Sequence, residues 1–376
     1  MEVKVNRSVF LKIIAKLQSV TEKKSNMPIL STILLKAIDN SLIIAATDLE
    51  IGIKIEVTTD ILQEGSITIS GKKLLEILKE SKKPEIHIKE RENSRVLITN
   101  GTAHFHLACL SPDEFPLIIE PENVSMAEID GDTLSEMIDK TIYSISKEED
   151  GNKSGGIFIE KIMDNNGSAH LRFVATDGNR LSMVDKENPT IDLLELGRGV
   201  VIPRKGMLEL YKIASEGGRI RFGFKKNNCI VKKNKLFLLI RLLETKFPDY
   251  SSILPKEDKL SIVIKKNELL DAMKKMLILS SDNYSAVKIT LADNQIQLVS
   301  TNPELGEAQE ILHTDYRGDN LEIVFNPRFF IDILQKMESE DIKLEFIDKQ
   351  KPCILTGEAD DGFFGLIMPM SYNDGR

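Results

Sequence analysis

Three runs in this 376-residue chain carry the residue types that build a tight polar turn at the end of a strand. They are I-I-A-A-T-D-L-E (43–50), F-V-A-T-D-G-N-R-L-S-M-V (173–184) and Q-L-V-S-T-N-P-E (297–304). Threonine hydroxyls, Asp and Asn side chains bond nearby backbone, and Gly accepts positive φ, so the chemistry on offer is turn formation. Residues suited to catalysis or metal binding are sparse. The run from Gly65 to Lys73 resembles a phosphate loop. It has one residue too many between its glycines and no Ser or Thr after Lys72, so the magnesium-binding hydroxyl is missing. His104 and His106 alternate on a strand without a third ligand at metal spacing. Cys109, Cys229 and Cys353 are an odd, widely spaced set with no C-x-x-C; Cys229 and Cys353 read as apolar strand positions equivalent to Val96. No G-x-S-x-G, H-E-x-x-H or G-x-G-x-x-G is present, and neither a catalytic group nor a cofactor is expected.

The elements that must hold those turns repeat. Thr47, Thr176 and Thr301 lie 129 and then 125 residues apart, a period of domain size and not of solenoid size. Each third opens with a short alternating strand and a helix, and strand-then-helix returns halfway through. The chain therefore reads as three copies of a unit that is itself two strand–helix–strands halves. The first helix, near 7–19, sets Phe10, Ile13, Ile14 and Leu17 on one face; the second, near 72–81, buries Leu74, Leu75 and Leu78. The segments F-P-L-I-I-E-P-E-N (115–123) and F-P-D-Y-S-S-I-L-P-K (247–256) are Pro-bearing connectors one repeat apart, which divides the chain at 1–123, 124–254 and 255–376.

Composition describes a globular protein able to bury real cores, with 41% hydrophobic and 29% charged residues. No apolar run approaches the ~20 residues of a membrane helix, and a reduced, cytoplasmic setting is expected. Net charge is −8, which by itself argues against nucleic acid. Each of the six helices, however, is assigned a basic residue off its apolar face, among them Lys12, Lys16, Lys72, Lys73, Lys140, Arg204, Lys205, Lys274, Lys275 and Lys336. Copies related by rotation would gather those faces on one surface and leave the acid on the others.

Seven motifs, in order, make the chain resemble the bacterial sliding clamp family, the beta subunit of DNA polymerase III. They are M-P-I-L (27–30), A-T-D-L-E (46–50), E-F-P (114–116), A-T-D-G-N-R-L (175–181), V-I-P-R-K-G (201–206), F-P-D-Y (247–250) and M-P-M (368–370). The resemblance implies an α+β fold of three tandem clamp domains, each of two strand–helix–strands halves, with helices inside and sheets outside a ring. It implies a head-to-tail homodimer around double-stranded DNA, bound without sequence specificity. Lys24, Arg204 and Lys205 would lie near DNA, with Lys12, Lys16, Lys72 and Lys73 lining the hole. Leu107, Ile278 and Leu279 match the family's dimer interface. A pocket for short linear peptides of the polymerase, clamp loader and repair proteins would use Thr176, Gly178, Asn179, Arg180, Leu181, Pro248, Ile253, Leu366, Ile367, Met368, Pro369 and Met370. The chain departs from the family pattern at Ser154, Asn179, Ser252 and Ser371, which bears on the pocket's rim. Two other readings stand beside this one: a clamp-fold interaction module without ring closure, and a multidomain α+β enzyme, which would need a polar cluster unique to one copy.

Overall fold

The computed structural model describes residues 1–21, 26–146, 155–254, 260–280, 285–318 and 320–370. Its first copy runs β1 (Glu2–Asn6), α1 (Arg7–Gln18), β2 (Thr32–Ile38), β3 (Ser41–Thr47), β4 (Ile51–Thr58), β5 (Asp60–Gln63), β6 (Gly65–Ser70), α2 (Gly71–Glu80), β7 (Glu85–Arg91), β8 (Arg95–Asn100) and β9 (Ala103–Ala108). The second runs β10 (Met126–Asp130), α3 (Gly131–Asp139), β11 (Gly156–Met163), β12 (Ala169–Thr176), β13 (Arg180–Glu187), β14 (Val200–Pro203), α4 (Arg204–Ala214), β15 (Arg219–Lys225), β16 (Asn228–Lys233) and β17 (Leu236–Arg241). The third runs β18 (Leu260–Lys265), α5 (Lys266–Leu277), β19 (Val287–Ala292), β20 (Gln295–Asn302), β21 (Gly306–His313), β22 (Leu321–Phe325), α6 (Pro327–Leu334), β23 (Asp341–Phe346), β24 (Cys353–Gly357) and β25 (Phe363–Ile367). Every half is thus a strand, a helix and three strands, and β5 is the one addition among the described residues.

Local chemistry sets the helix starts. The Asn6 side chain accepts from the amides of Ser8 and Val9, Ser70 accepts from Lys73, and Asn326 accepts from Arg328 just ahead of Pro327 at the first helical position. Each satisfies an amide that the helix cannot. Phe10, Ile14 and Leu17 of α1 are buried, as are Leu74, Ile77 and Leu78 of α2. Leu75 is only half-buried, so the face of α2 is turned by one residue from the sequence expectation. The second-copy and third-copy cysteines sit where expected: Val96, Cys229 and Cys353 are all buried strand residues on β8, β16 and β24.

The chain forms two compact units, one of Met1–Gly131, Asp192–Glu195 and Leu208–Leu242, the other of Asp132–Ile191, Leu196–Met207 and Leu243–Arg376. Compactness divides the middle copy because the sheets continue past the ends of the copies. The first unit holds a five-stranded sheet, β5-β1-β7-β8-β9, and an eight-stranded sheet, β10-β15-β16-β17-β4-β3-β2-β6. The second holds an eight-stranded sheet, β14-β11-β12-β13-β25-β24-β23-β18, and a four-stranded one, β21-β20-β19-β22. Each eight-stranded sheet contains one joint where two halves meet edge to edge, β17 with β4 and β13 with β25, both antiparallel. In every case the joining strand is the last of the three that follow the helix of its half.

The connectors are pinned. Phe115 is buried with Ile29, Leu30 and Ala45 in the first unit, and Phe247 is stacked on Phe158 with ring centroids 4.9 Å apart in the second. Burial of one aromatic ring per connector removes a few kcal/mol worth of exposed apolar surface, enough to hold an otherwise extended segment in place.

Candidate functional site

The turn of the repeated motif is built the same way in the first two copies, and the third keeps only the Asn302 half of it, its Thr301 hydroxyl donating instead to the Glu307 carboxylate. Thr176 donates through Oγ1 to the carbonyl of Arg180 at 2.7 Å and accepts from the Gly178 amide, while Asp177 accepts from the amides of Asn179 and Arg180. In the first copy Thr47 donates to the Ile51 carbonyl and accepts from Leu49, and Asp48 accepts from Glu50 and Ile51. In the third, Asn302 accepts from Glu304 and Leu305. The positive-φ position is glycine in the second copy, Gly178 at 89°, and a leucine in the first, Leu49 at 75°. Gly178 adopts that geometry without strain and leaves the rim open, whereas Leu49 holds it against its own Cβ.

Around the second-copy turn the structure brings the expected pocket residues together at the β13–β25 joint. Leu181 pairs with Leu366 and Arg180 with Ile367, and the Met368 amide donates to the Asn179 carbonyl at 2.8 Å. Leu181, Leu366 and Ile367 are fully buried, so they form the floor and not the contact surface. Gly178, Asn179, Pro248, Ile253 and Met370 are exposed, and Met368 and Pro369 half-exposed. The floor continues as a cluster of Val174, Met183, Val201, Phe247 and Tyr250, flanked by Phe158, Leu243, Leu254, Phe364 and Met368. Tyr250 is held from behind: its hydroxyl donates to Glu160 and accepts from Arg172 Nη1 at 3.2 Å, and Arg172 is paired with Asp185 at 2.6 Å. Burial, reinforced by Glu160, pushes the Tyr250 hydroxyl up to about 12, which keeps it a neutral donor.

The sequence did not signal what surrounds Arg180. Its guanidinium donates to Asp177, to Asp332 of α6 at 2.5 Å and to the Tyr143 carbonyl at 2.8 Å. It lies between the rings of Phe329, 4.7 Å away, and Tyr143, 5.4 Å away. The Tyr143 hydroxyl in turn accepts from Ser182 at 2.7 Å, and burial raises its pKa.

The basic helix faces are only partly as expected. Lys12, Lys72, Arg204 and Lys205 are exposed, and Arg204 donates to the Ile142 carbonyl at 2.7 Å. Lys16 is half-buried against Glu216 at 2.6 Å, and Lys73 is paired with Glu76 at 2.8 Å. Lys24 lies outside the described residues, as do Ser154 and Ser371. Lys140 is a correction. It follows α3, which itself carries no basic residue, and it is 2% exposed, held by Glu136 at 2.8 Å and Asp360 at 2.9 Å. A lysine directly after a helix is drawn into a buried ion pair by a distant carboxylate, so it contributes nothing to a solvated basic face. Lys336 likewise follows α6 and is paired with Asp139 at 2.6 Å.

Of the expected interface residues, Leu107 lies on an edge strand. Among the described residues β9 pairs only with β8, and β21 only with β20. Leu107 is half-buried on β9; Leu279 is half-buried and Ile278 is 75% exposed just beyond α5. Among the described residues no cluster of three or more metal-ligating side chains occurs, and no helix is long and apolar enough to cross a membrane.

Models of the N-terminal, central and C-terminal domains of the DNA polymerase III beta subunit match residues 1–119, 128–249 and 251–371, in that order. The beta sliding clamp of Chlamydia pneumoniae is 28% identical over 98% of this chain and 99% of its own length. That of Pseudomonas aeruginosa is 28% identical over 97% of this chain and 98% of its own. Among solved structures, the sliding clamp of Bartonella birtlesii bound to griselimycin superposes with a TM-score of 0.93 at 29% identity, covering 99% of this chain and all of that one. The sliding clamp of Caulobacter crescentus does so with a TM-score of 0.93 at 27% identity, with the same coverage. With three clamp modules in order, two sheet joints built by one rule and relatives matching end to end, the chain belongs to the bacterial sliding clamp family, the beta subunits of DNA polymerase III.

Proposed function

We propose that this DNA sliding clamp, a non-catalytic replication subunit, closes as a head-to-tail dimer around duplex DNA and holds its partners at the β13–β25 joint. The carrying observation is the joint rule. Both internal joints pair the closing strands of halves, and among the described residues the two closing strands left with an open edge are β9 and β21. Setting β5 aside, the two terminal sheets have four strands each, half of the eight-stranded sheets inside the units. Pairing β21 of one copy with β9 of the next completes the pattern and covers two edges that would otherwise invite aggregation. Leu107, Ile278 and Leu279 then bury apolar surface at the new joint.

The three domains are taken as 1–123, 124–254 and 255–376, with helices toward the hole and sheets outward. Lys12, Lys16, Lys24, Lys72, Lys73, Arg204 and Lys205 supply weak contacts to phosphates. Because the ring retains DNA by encirclement, such contacts need neither strength nor sequence readout, and the net charge of −8 is confined to the exterior. At the docking site, a buried leucine floor with Met368 and Met370 at its rim suits short peptides that share an apolar anchor, such as those of the polymerase, clamp loader and repair proteins. Griselimycin, which the Bartonella birtlesii clamp binds, is proposed to occupy the same site here. The protein works in the cytoplasm.

Sedimentation at micromolar concentration is expected to give twice the 42.3 kDa chain mass. Protein assembled on nicked circular plasmid should co-elute with it and be released when the plasmid is linearised. A monomer that is not retained would replace this reading with that of an interaction module.

A further inference from the structure

Arg180 sits where a docking peptide would meet the β12–β13 turn, yet every face of its guanidinium is already engaged. Two carboxylates, a carbonyl and two rings surround it, and the residue is 9% exposed. Burying a guanidinium is unfavourable unless its donors and charge are matched this fully.

The first copy provides an internal control. The residue equivalent to Arg180 there is Ile51, which pairs with Ile240 across the β17–β4 joint as Arg180 pairs with Ile367. The turn preceding Ile51 makes the same hydrogen bonds as the turn preceding Arg180. Arginine is therefore not required to form the turn or the joint. What Arg180 adds is a tie from the turn to Asp332 and Phe329 on α6 and to Tyr143, groups that lie behind the rim.

We infer that Arg180 is a positioning residue of the docking site: it fixes the Gly178–Asn179 rim against α6 and offers no charge to the ligand. This rests on the β13–β25 joint being the docking site. The consequence is that Asp332, on α6 and outside the rim, controls ligand affinity through Arg180. Releasing one carboxylate leaves the guanidinium partly unmatched, and the rim backbone it holds, including the Asn179 carbonyl that accepts from Met368, loosens with it.

The test uses the full chain with griselimycin as probe, measured by calorimetry, and amide hydrogen exchange of the unliganded protein. Asp332→Asn should weaken griselimycin by about tenfold, the scale of one charge-assisted hydrogen bond. It should also speed exchange at the Met368 amide while β-strand amides away from the joint keep their protection. Asp332→Glu, which restores the carboxylate, should recover most of the affinity. Parental affinity in Asp332→Asn, or a lowered melting temperature with affinity and Met368 exchange unchanged, would overturn the positioning role alone. Absence of griselimycin binding by the unaltered chain would overturn the docking reading as well.

Discussion

In the first unit β4 meets β17 at Gly52–Leu239 and Lys54–Phe237; in the second, β13 meets β25 at Leu181–Leu366 and Met183–Phe364. The backbone is the same in both, down to the amide that donates to the turn: Arg241 to the Glu50 carbonyl in one, Met368 to Asn179 in the other, each at 2.8 Å. The surfaces differ. At the first joint Ile118 packs over Gly52, and Lys54 and Lys232 are both paired with Glu120 of the connector. At the second, leucine replaces glycine and methionine replaces both Lys54 and Arg241, leaving an apolar floor with an adaptable rim. One joint is covered by its own connector, and the other is the one proposed above to take a ligand. The strand pairing that builds the scaffold is thus separable from the side chains that cover it.

The comparison can be broken most severely at the ion pairs that fasten each joint. Lys16, within α1 at the first joint, and Lys140, just past α3 at the second, fall at the same distance from the starts of equivalent helices. Lys140 and Asp360 have side chains 3% and 0% exposed, 2.9 Å apart, and Lys140 also lies 5.6 Å above the Phe363 ring. Burial alone would push the Asp360 carboxyl up, but the Ser339 hydroxyl, the Glu338 and Ser339 amides and Lys140 outweigh it and hold the carboxyl below its usual range. Lys140→Met leaves that carboxylate buried with its cation gone, and should lower stability by about 3–5 kcal/mol in chemical denaturation. A depressed Asp360 contributes stability that is complete above its ordinary range and fades as pH falls through the folded value. The loss caused by Lys140→Met should therefore shrink in acid.

A smaller effect is expected from filling the closed joint. A Cβ on residue 52 would sit 3.0 Å from Ile118 Cγ2, so the Ile118 side chain must give by a few tenths of an ångström, and the rest of a leucine side chain must displace it further. Gly52→Leu, which imports the residue of the second joint, should cost about 1–3 kcal/mol through overpacking. It should also accelerate proteolysis of the connector after Phe115, which limited digestion would read. If the substitution is neutral, Ile118 is not what closes this joint.

The turns and the repeat were legible in the sequence because they depend on local chemistry. Thr, Asp and Gly at fixed spacing act on backbone within a few residues, and the helix faces follow from 3.6-residue periodicity. The residues expected at the pocket were named by motif, but their division into buried and exposed was not. Leu181 and Leu366 come from strands far apart in sequence, and only their pairing puts both side chains under the surface. The same holds for charge. Near Lys140 in the chain stands Glu136, where Lys16 has Lys12, but the buried partner Asp360 is remote and arrives through the hairpin that joins β24 to β25. The burial of Arg180 was hidden for the same reason, since Asp332 and Phe329 belong to another copy.

Lys16 gives the weakest expected effect and the sharpest control on the comparison. Its partner Glu216 is 2.6 Å away, but the two side chains are 35% and 44% exposed. Water and salt screen such a pair, and its net contribution falls in the range of about 0–1 kcal/mol. Lys16→Met should accordingly shift the denaturation midpoint slightly, with a difference that vanishes at high salt. Because Lys16 is also among the residues proposed to face DNA, the same substitution should reduce retention on circular plasmid more than it reduces stability. A stability loss matching that of Lys140→Met would show that the two joints are fastened alike, and that exposure does not separate them.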